Sequence, residues 1–283
     1  MKLIPLVAAF LAGQAVFVLN VPGRLLKPVP TPDQVLAKVG GTPITAKDVE
    51  PLLWEWRGKD ALQDLISLQI AQVAADKAGV TVSDAEVQAR LDEVMEGIRT
   101  RLQPGETLEQ AMADEGTSPS RLYLRLRAET LLNRLVLGSF HQPDFVKVKT
   151  LIVPLAGSET KDLKAAIQTA ELAYEEATKG KGWSEAIRRF AEDEGARQSD
   201  GLLGWRHWDA FPEGLRTTVM ALPQGGISKP AQTAHGIQMF LVEKLGKDAK
   251  GKDLEELREA FVRSERPDLV KKLRAEVPVE RLW

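Results

Sequence analysis

Apolar residues recur at helical spacing through most of the first half of the chain. Val35 to Val39 is the exception, a short apolar strand candidate running into a Gly40-Gly41 turn. Thr45 with Asp48 then forms a capping-box start for a helix through about Arg57, which Gly58 is expected to interrupt. A second helix is predicted from about Asp60 to Ala78, with Leu62, Leu65, Ile66, Ile70 and Val73 apolar and Gly79 as its stop. Ser83 with Glu86 caps a third, which places Val87, Leu91, Val94, Ile98 and Leu102 on one face before Pro104-Gly105 ends it. Thr107 with Gln110 opens a short helix closed by Gly116. Ser118-Pro119 opens a long one carrying Leu122, Leu126 and Leu135. Residues 33–140 therefore read as helical apart from one initial strand.

The period changes after a hinge at His141–Phe145. Val146 to Val153 alternates as a strand. Ser158 begins a helix with Leu163, Ile167, Ala170 and Tyr174 on one face, ended by Gly180 and Gly182. Trp183-Ser184 starts a short helix to about Ala191 with Ile187 and Phe190 inward, and a glycine-containing loop follows to Gly204. Glu213 to Leu222 is a further helix, and Ile227 and Gln238–Glu243 are strand candidates. The order is βααβαββ-like, with the sheet closed late. Asp253 and Glu256 then cap a last helix with Leu254, Leu257 and Phe261, which Pro267 is expected to kink or restart, and Leu269 and Leu273 continue its apolar face. Val277 to Trp283 reads as a final strand. The fold class is α+β.

The first 20 residues speak to destination. Lys2 precedes an apolar run from Leu3 to Leu19 broken only by Gly13 and Gln14, which fits a secretory signal or an uncleaved anchor. Gly13 and Ala15 have the spacing of a cleavage site. Four prolines between Val21 and Asp33 mark an extended linker. The expected divisions are a leader or membrane tether at 1–20, a linker at 21–32, a helical domain at 33–140, a sheet domain at 145–246 and a tail at 252–283.

Composition narrows the chemistry. With 43% hydrophobic and 28% charged residues, 283 residues can bury a sizeable core. A net charge of −2 gives no basic field for nucleic acid. The absence of cysteine excludes disulfides, thiolate metal sites and a thiol nucleophile, and three scattered histidines make a poor zinc site. No phosphate-binding Gly-x-x-x-x-Gly-Lys loop, nucleophile elbow or His-Glu-x-x-His pair is present. No cofactor is called for.

The informative segment runs from Gly201 to Glu243. It reads Gly-Leu-Leu-Gly-Trp, then a spacer holding Phe211 and Leu215, then Met-Ala-Leu-Pro-Gln-Gly-Gly-Ile-Ser-Lys-Pro, then Thr-Ala-His-Gly-Ile-Gln-Met-Phe-Leu-Val-Glu. This resembles the second half of a parvulin-type peptidyl-prolyl isomerase domain. Upstream, Val39-Gly-Gly-Thr-Pro-Ile-Thr45, Leu65-Ile66 with Ile70, and Ala78-Gly-Val-Thr-Val-Ser-Asp-Ala-Glu-Val87 resemble, in that order, the N-terminal domain of SurA-type periplasmic chaperones and the matching part of PrsA-type foldases. The resemblance implies a helical chaperone domain, built from both ends of the chain, with one parvulin-like domain inserted and the final strand paired back to the first. It also implies unfolded or nascent exported polypeptides as partners, on the extracytoplasmic side.

Residue by residue, the resemblance puts Thr150 and Gln238 where parvulins usually carry two histidines, and Asp193 where they carry a Cys or Asp. Leu202 replaces the usual acidic residue of the Gly-Leu-Leu-Gly turn, Asp200 its first glycine, and Thr233 is kept. Phe211, Leu215 and Met220 fall at the apolar slot for the prolyl ring, with Leu203 and His235 beside it. Thr and Gln exchange a hydrogen bond across adjacent strands but do not titrate near neutral pH. The expectation is that Thr150 and Gln238 keep an inter-strand bridge and that Asp193 faces the slot. Two readings stay open: an isomerase with reduced turnover, or a non-catalytic holdase or scaffold that binds peptide. His207 between Trp205 and Trp208 is a candidate aromatic lip for peptide; Trp54 and Trp56, on opposite faces of one helix, cannot both be core, and one is a candidate for a peptide-binding or domain-docking surface.

Overall fold

A computed structural model describes residues 21–282. The apolar run at 3–19, and with it the expected signal or anchor, lies outside the described residues, as does Trp283. Two compact units are present, one drawn from both ends of the chain, to Val136 and from Arg266, and one from Leu137–Glu265. Among the described residues no helix is long and apolar enough to cross a membrane.

The unit from both ends opens with an antiparallel hairpin, β1 (Val35–Val39) and β2 (Thr42–Thr45). One strand was expected here; the Gly40-Gly41 turn folds the chain straight back and makes a second. The helix α1 (Ala46–Ala78) follows. The Asp48 carboxylate accepts hydrogen bonds from the Thr45 hydroxyl at 2.7 Å and the Thr45 backbone N–H at 2.8 Å. These bonds hold the carboxyl below its usual range. The expected break at Gly58 is absent. A helical glycine costs about 1 kcal/mol relative to alanine, and that is too little to stop a helix 33 residues long whose glycine is buried.

The helices α2 (Asp84–Arg99), α3 (Leu108–Asp114) and α4 (Pro119–Leu137) complete this side. The core joins Leu68, Ala71 and Ala75 of α1, Val87 and Leu91 of α2, and Tyr123, Leu126 and Leu131 of α4. Asp64 pairs with Arg121 at 2.6 Å and Arg125 at 3.1 Å, and Arg134 grips both oxygens of Glu86 at 2.8 and 2.7 Å. In the last pair a single nitrogen, Arg134 Nη2, serves both carboxylate oxygens.

The second unit is built on a sheet of order β4-β3-β6-β5, with β3 at Phe145–Val153, β4 at Leu202–His207, β5 at Ala231–Thr233 and β6 at Gly236–Leu245. All pairings are antiparallel. Alternation sorts β3 between two faces. Leu151 and Val153 pack with Ile237 and Met239 against α5 (Thr160–Lys179) and α6 (Trp183–Phe190). Val146 and Val148 pack with Phe240 and Val242 against Phe211 and α8 (Glu213–Met220). The buried stripe of α5 is Ala166, Ala170, Ala173 and Ala177, while Ile167 is exposed. Small residues let the helix lie close on the sheet, so the face chosen by size alone was turned. Ile227 forms one isolated bridge to Leu241 rather than a strand.

The loop expected to run to Gly204 holds a short helical turn at Glu194–Gln198 and gives way already at Leu202 to the edge strand β4. Opposite Val148 and Lys149 the register jumps from Gly204 to Leu202, leaving Leu203 as an extra residue. Gly204 sits at φ 76°. This is a glycine-containing β-bulge, which re-aims the side chain beside it.

The last helix, α9 (Lys252–Glu276), runs through Pro267 without the expected restart. The proline ring frees the carbonyl of Arg263, and both residues are exposed. The tail was also expected to pack on the helical domain as a whole. Leu257 instead joins Phe145, Trp205 and Ala249 in the sheet unit, while Leu273 joins Ile70 and Ala74 in the other. Residues 277–282 form no strand, and β1 pairs with β2 alone among the described residues.

Candidate functional site

The second face of the sheet is only half covered. Phe211, Leu215 and Val219 close it over Val146, Val148 and Val242. Beyond Phe211 the cover stops, and a slot of about 420 Å³ opens over Thr150, Ile152, Gln238 and Phe240. Period-two spacing puts these four on one face: Thr150 and Ile152 alternate along β3, Gln238 and Phe240 along β6. Leu203, Arg206, Ala210, Phe211 and Pro212 form one wall, and Thr233, Ala234 and His235 form the other. Phe211 meets Phe240 edge-on at 5.3 Å and is flanked by Trp208 at 5.9 Å, so its ring is fixed as a wall.

At the floor, Gln238 Nε2 donates to Thr150 Oγ1 at 2.8 Å, and Thr150 Oγ1 donates to the Met239 carbonyl at 3.1 Å. Both side chains are 8% exposed. The partners are diagonal neighbours, since Thr150 lies opposite Phe240 and Ile152 opposite Gln238. The Thr150 hydroxyl thus both donates and accepts, and the floor is polar without a titratable group.

The approach of the strands here depends on one glycine. Thr150 N–H donates to Gly201 O at 2.8 Å. Gly201 has φ 70°, and a Cβ added to it would lie 2.3 Å from the Thr150 carbonyl oxygen and 2.9 Å from Ile187 Cδ1. No larger residue fits without moving the slot floor. Across the slot, Thr233 Oγ1 accepts from His235 N–H at 3.1 Å and donates to Gly236 O at 3.2 Å. That pair of bonds holds the β5–β6 turn and the His235 wall.

The slot gathers Thr150, Leu203, Phe211, Thr233, His235 and Gln238, and leaves out three expected members. Leu215 is 5% exposed and belongs to the core beneath, because α8 turns that position to the sheet. Met220, at the end of α8, is 50% exposed and is not part of the lining. Asp193 caps α7 (Glu194–Gln198), its Oδ1 accepting from Ala196 N–H at 2.6 Å. It lines a second hollow of about 360 Å³ that shares Thr150, Ile152 and Leu203 with the slot. The backbone donors of a helix start hold its carboxylate there.

Ile152 and Phe240 were missed although strand alternation from Thr150 and Gln238 points to both. Arg206 had no such signal, because the Leu203 bulge resets which β4 positions face the slot, and Ala210 lies on the short turn after β4, where no strand alternation applies. The aromatic run also divides. Trp205 packs with Phe145 and Leu257, Trp208 Nε1 donates to Pro143 O at 3.1 Å, and His207 Nδ1 accepts from Asp209 N–H at 3.1 Å.

Residues 146–244 match the PPIC-type peptidyl-prolyl isomerase (rotamase) domain. The chaperone SurA of Pseudomonas savastanoi pv. phaseolicola is 28% identical over 110 residues, 39% of this chain and 25% of that protein. The chaperone SurA of Pseudomonas aeruginosa is 24% identical over 216 residues, 66% of this chain and 50% of that protein. The chain thus spans a quarter to a half of the length of these two curated relatives. Among solved structures, the peptidylprolyl isomerase PrsA of Bacillus cereus aligns over 89% of this chain and 95% of its own, at 16% identity and a TM-score of 0.41.

Proposed function

From the premise that residues 146–244 form a PPIC-type peptidyl-prolyl isomerase domain, we propose that this protein is a foldase: it binds unfolded polypeptide and speeds cis–trans exchange at prolyl bonds. The slot carries this reading. Prolyl isomerisation breaks no covalent bond; its barrier of about 20 kcal/mol is the loss of C–N double-bond character. A catalyst needs an apolar seat for the ring and surroundings that favour the twisted amide over the planar one. Ile152, Leu203, Phe211 and Phe240 supply the seat. In the twisted amide the nitrogen lone pair is no longer delocalised and accepts a hydrogen bond. Gln238 commits one N–H to Thr150 and has a second to offer. Thr150 is the positioning residue that fixes the Gln238 amide. Asp193 then acts on the shape of the site through α7 rather than on the substrate.

NMR exchange on a short prolyl peptide, without a coupled protease, tests this. Catalysed exchange should fall at least about tenfold in Phe211→Ala and in Gln238→Leu, while Asp193→Asn, which keeps a capping acceptor, retains most of it. Exchange at the spontaneous rate in the wild type would sink the isomerase reading.

The second reading, a holdase, is favoured by a different observation. Leu53, Trp54 and Trp56 are 53%, 59% and 65% exposed on the first half of α1. Leu53 and Trp56, one turn apart, form an exposed apolar pair, with Trp54 exposed on the opposite face, and exposed apolar side chains of this size support an interaction surface. Suppression of client aggregation without catalysed exchange would establish it. The apolar run at 3–19 supports export, with exported chains as the clients.

A further inference from the structure

Beside the slot, the sheet unit holds a cleft of about 910 Å³. One wall is β4 from Leu203 to His207. The other is α9, through Glu256, Glu259, Ala260, Arg263 and Ser264. Among the described residues β4 pairs only with β3. Its outer edge therefore presents alternate backbone N–H and C=O groups without strand partners. Trp205 lines the cleft, is 6% exposed, and its indole Nε1 is buried with no hydrogen-bond partner. Buried donors are normally paired, so this wall holds a donor in want of an acceptor. The cleft is also continuous with the slot, since Leu203, Arg206 and Ala210 line both.

We propose that the polypeptide flanking the bound proline adds to the free edge of β4 as an extra strand, lying in the cleft between β4 and α9. The proposal rests on the slot reading and deepens it by naming how the substrate is held. The occupant is an extended backbone rather than a particular side chain. Edge addition draws its affinity from main-chain hydrogen bonds and is tolerant of sequence, which suits a protein that meets many unfolded chains. β4 has six residues, enough to seat a strand of about 20 Å. The Leu203 bulge lies where the slot meets this edge, so the chain can turn from ring seat to strand at that point.

The test compares a tetrapeptide containing Ala-Pro with a peptide of about twelve residues that has the same centre. A third peptide of that length is N-methylated at alternate flanking positions. Binding is read by NMR titration on the full protein. Edge addition predicts at least about tenfold tighter binding of the long peptide, lost on N-methylation, with amide shifts along 202–207. Ser264→Trp, an exposed position on the α9 wall, should erase the length gain. Equal affinity for short and long peptides overturns the proposal, as does a length gain that survives N-methylation. A concentration-dependent dimer by sedimentation, with 202–207 protected in the absence of peptide, would assign the edge to a second copy instead. The failure of the slot reading is distinct: it shows as no catalysed exchange on the tetrapeptide, while the length comparison still reports on the cleft.

Discussion

The two units treat their apolar side chains in opposite ways. The helical unit keeps Val35, Leu36, Val39 and Ile44 exposed on its hairpin and Leu52, Leu53, Trp54 and Trp56 exposed on α1. The sheet unit sinks Phe211 and Phe240 to 5% and 3% exposure, where both line the slot. In the helical unit, stability rests on residues such as Leu91 and Tyr123, far along the sequence from the exposed ones. In the sheet unit the same strands that hold the fold also form the slot floor. On the proposed reading, binding and stability should therefore be separable by mutation in the first unit and tied together in the second.

The sharpest break in that comparison is Gly201→Ala. Forcing a Cβ at φ 70° and 2.3 Å from the Thr150 oxygen combines left-handed backbone strain with overpacking, about 3 kcal/mol together. Hydrogen exchange should show loss of protection in β3 and β4 with loss of prolyl exchange, and unchanged protection in α2 and α4. Gln238→Leu is milder. It deletes one buried donor but leaves the Thr150 hydroxyl bonded to Met239 O, so a loss of about 1 kcal/mol is expected. A urea midpoint unmoved by this change would mean that the floor bond holds nothing.

Trp54→Gln with Trp56→Gln carries the opposite expectation. Both positions are more than half exposed and Gln is a good helix former, so stability should move by less than about 0.5 kcal/mol. Suppression of client aggregation should fall while exchange on a short prolyl peptide does not. If both activities fall together, the separation of binding from stability in the helical unit is wrong.

Much of this organisation is legible in the chain, and the failures share a cause. Capping pairs such as Thr45 with Asp48 and Ser83 with Glu86 fix helix starts locally, so sequence finds them. The Thr150–Gln238 bridge is legible because strand alternation is strict between bulges. The illegible parts need tertiary knowledge. Gly58 looks like a break and Pro267 like a kink or a restart, yet the first helix runs through and the second does not restart. Ile167 looks like core, yet the alanine stripe beside it packs closer. Asp193 looks aimed at a proline, yet the nearest unpaired backbone N–H takes it. Arg206 reaches the slot from a bulged strand that no periodicity announces, whereas Leu203 is placed there by the family resemblance.

The smallest expected effect concerns alkaline stability. Lys149 donates to Asp200 Oδ2 at 2.6 Å and lies 3.6 Å from Glu243 Oε1. Partial burial pulls its pKa down, but the hydrogen bond and the two carboxylate charges outweigh that and leave it raised. A base raised in the fold adds stability that is fully present below the unfolded lysine value, about 10.4, and lost as pH climbs through the folded one. In the helical unit, burial first and then Asp84 raise the Tyr123 hydroxyl. An acid raised in the fold also loses stability as pH rises past its unfolded value, about 10. Both units should therefore weaken in strong alkali, for different reasons. Lys149→Met separates them. Urea midpoints at pH 8 should fall slightly, by less than about 1 kcal/mol for a pair partly open to water. The difference from wild type should shrink above pH about 10.4, in the sheet unit alone. A difference constant across that range would remove Lys149 as the source.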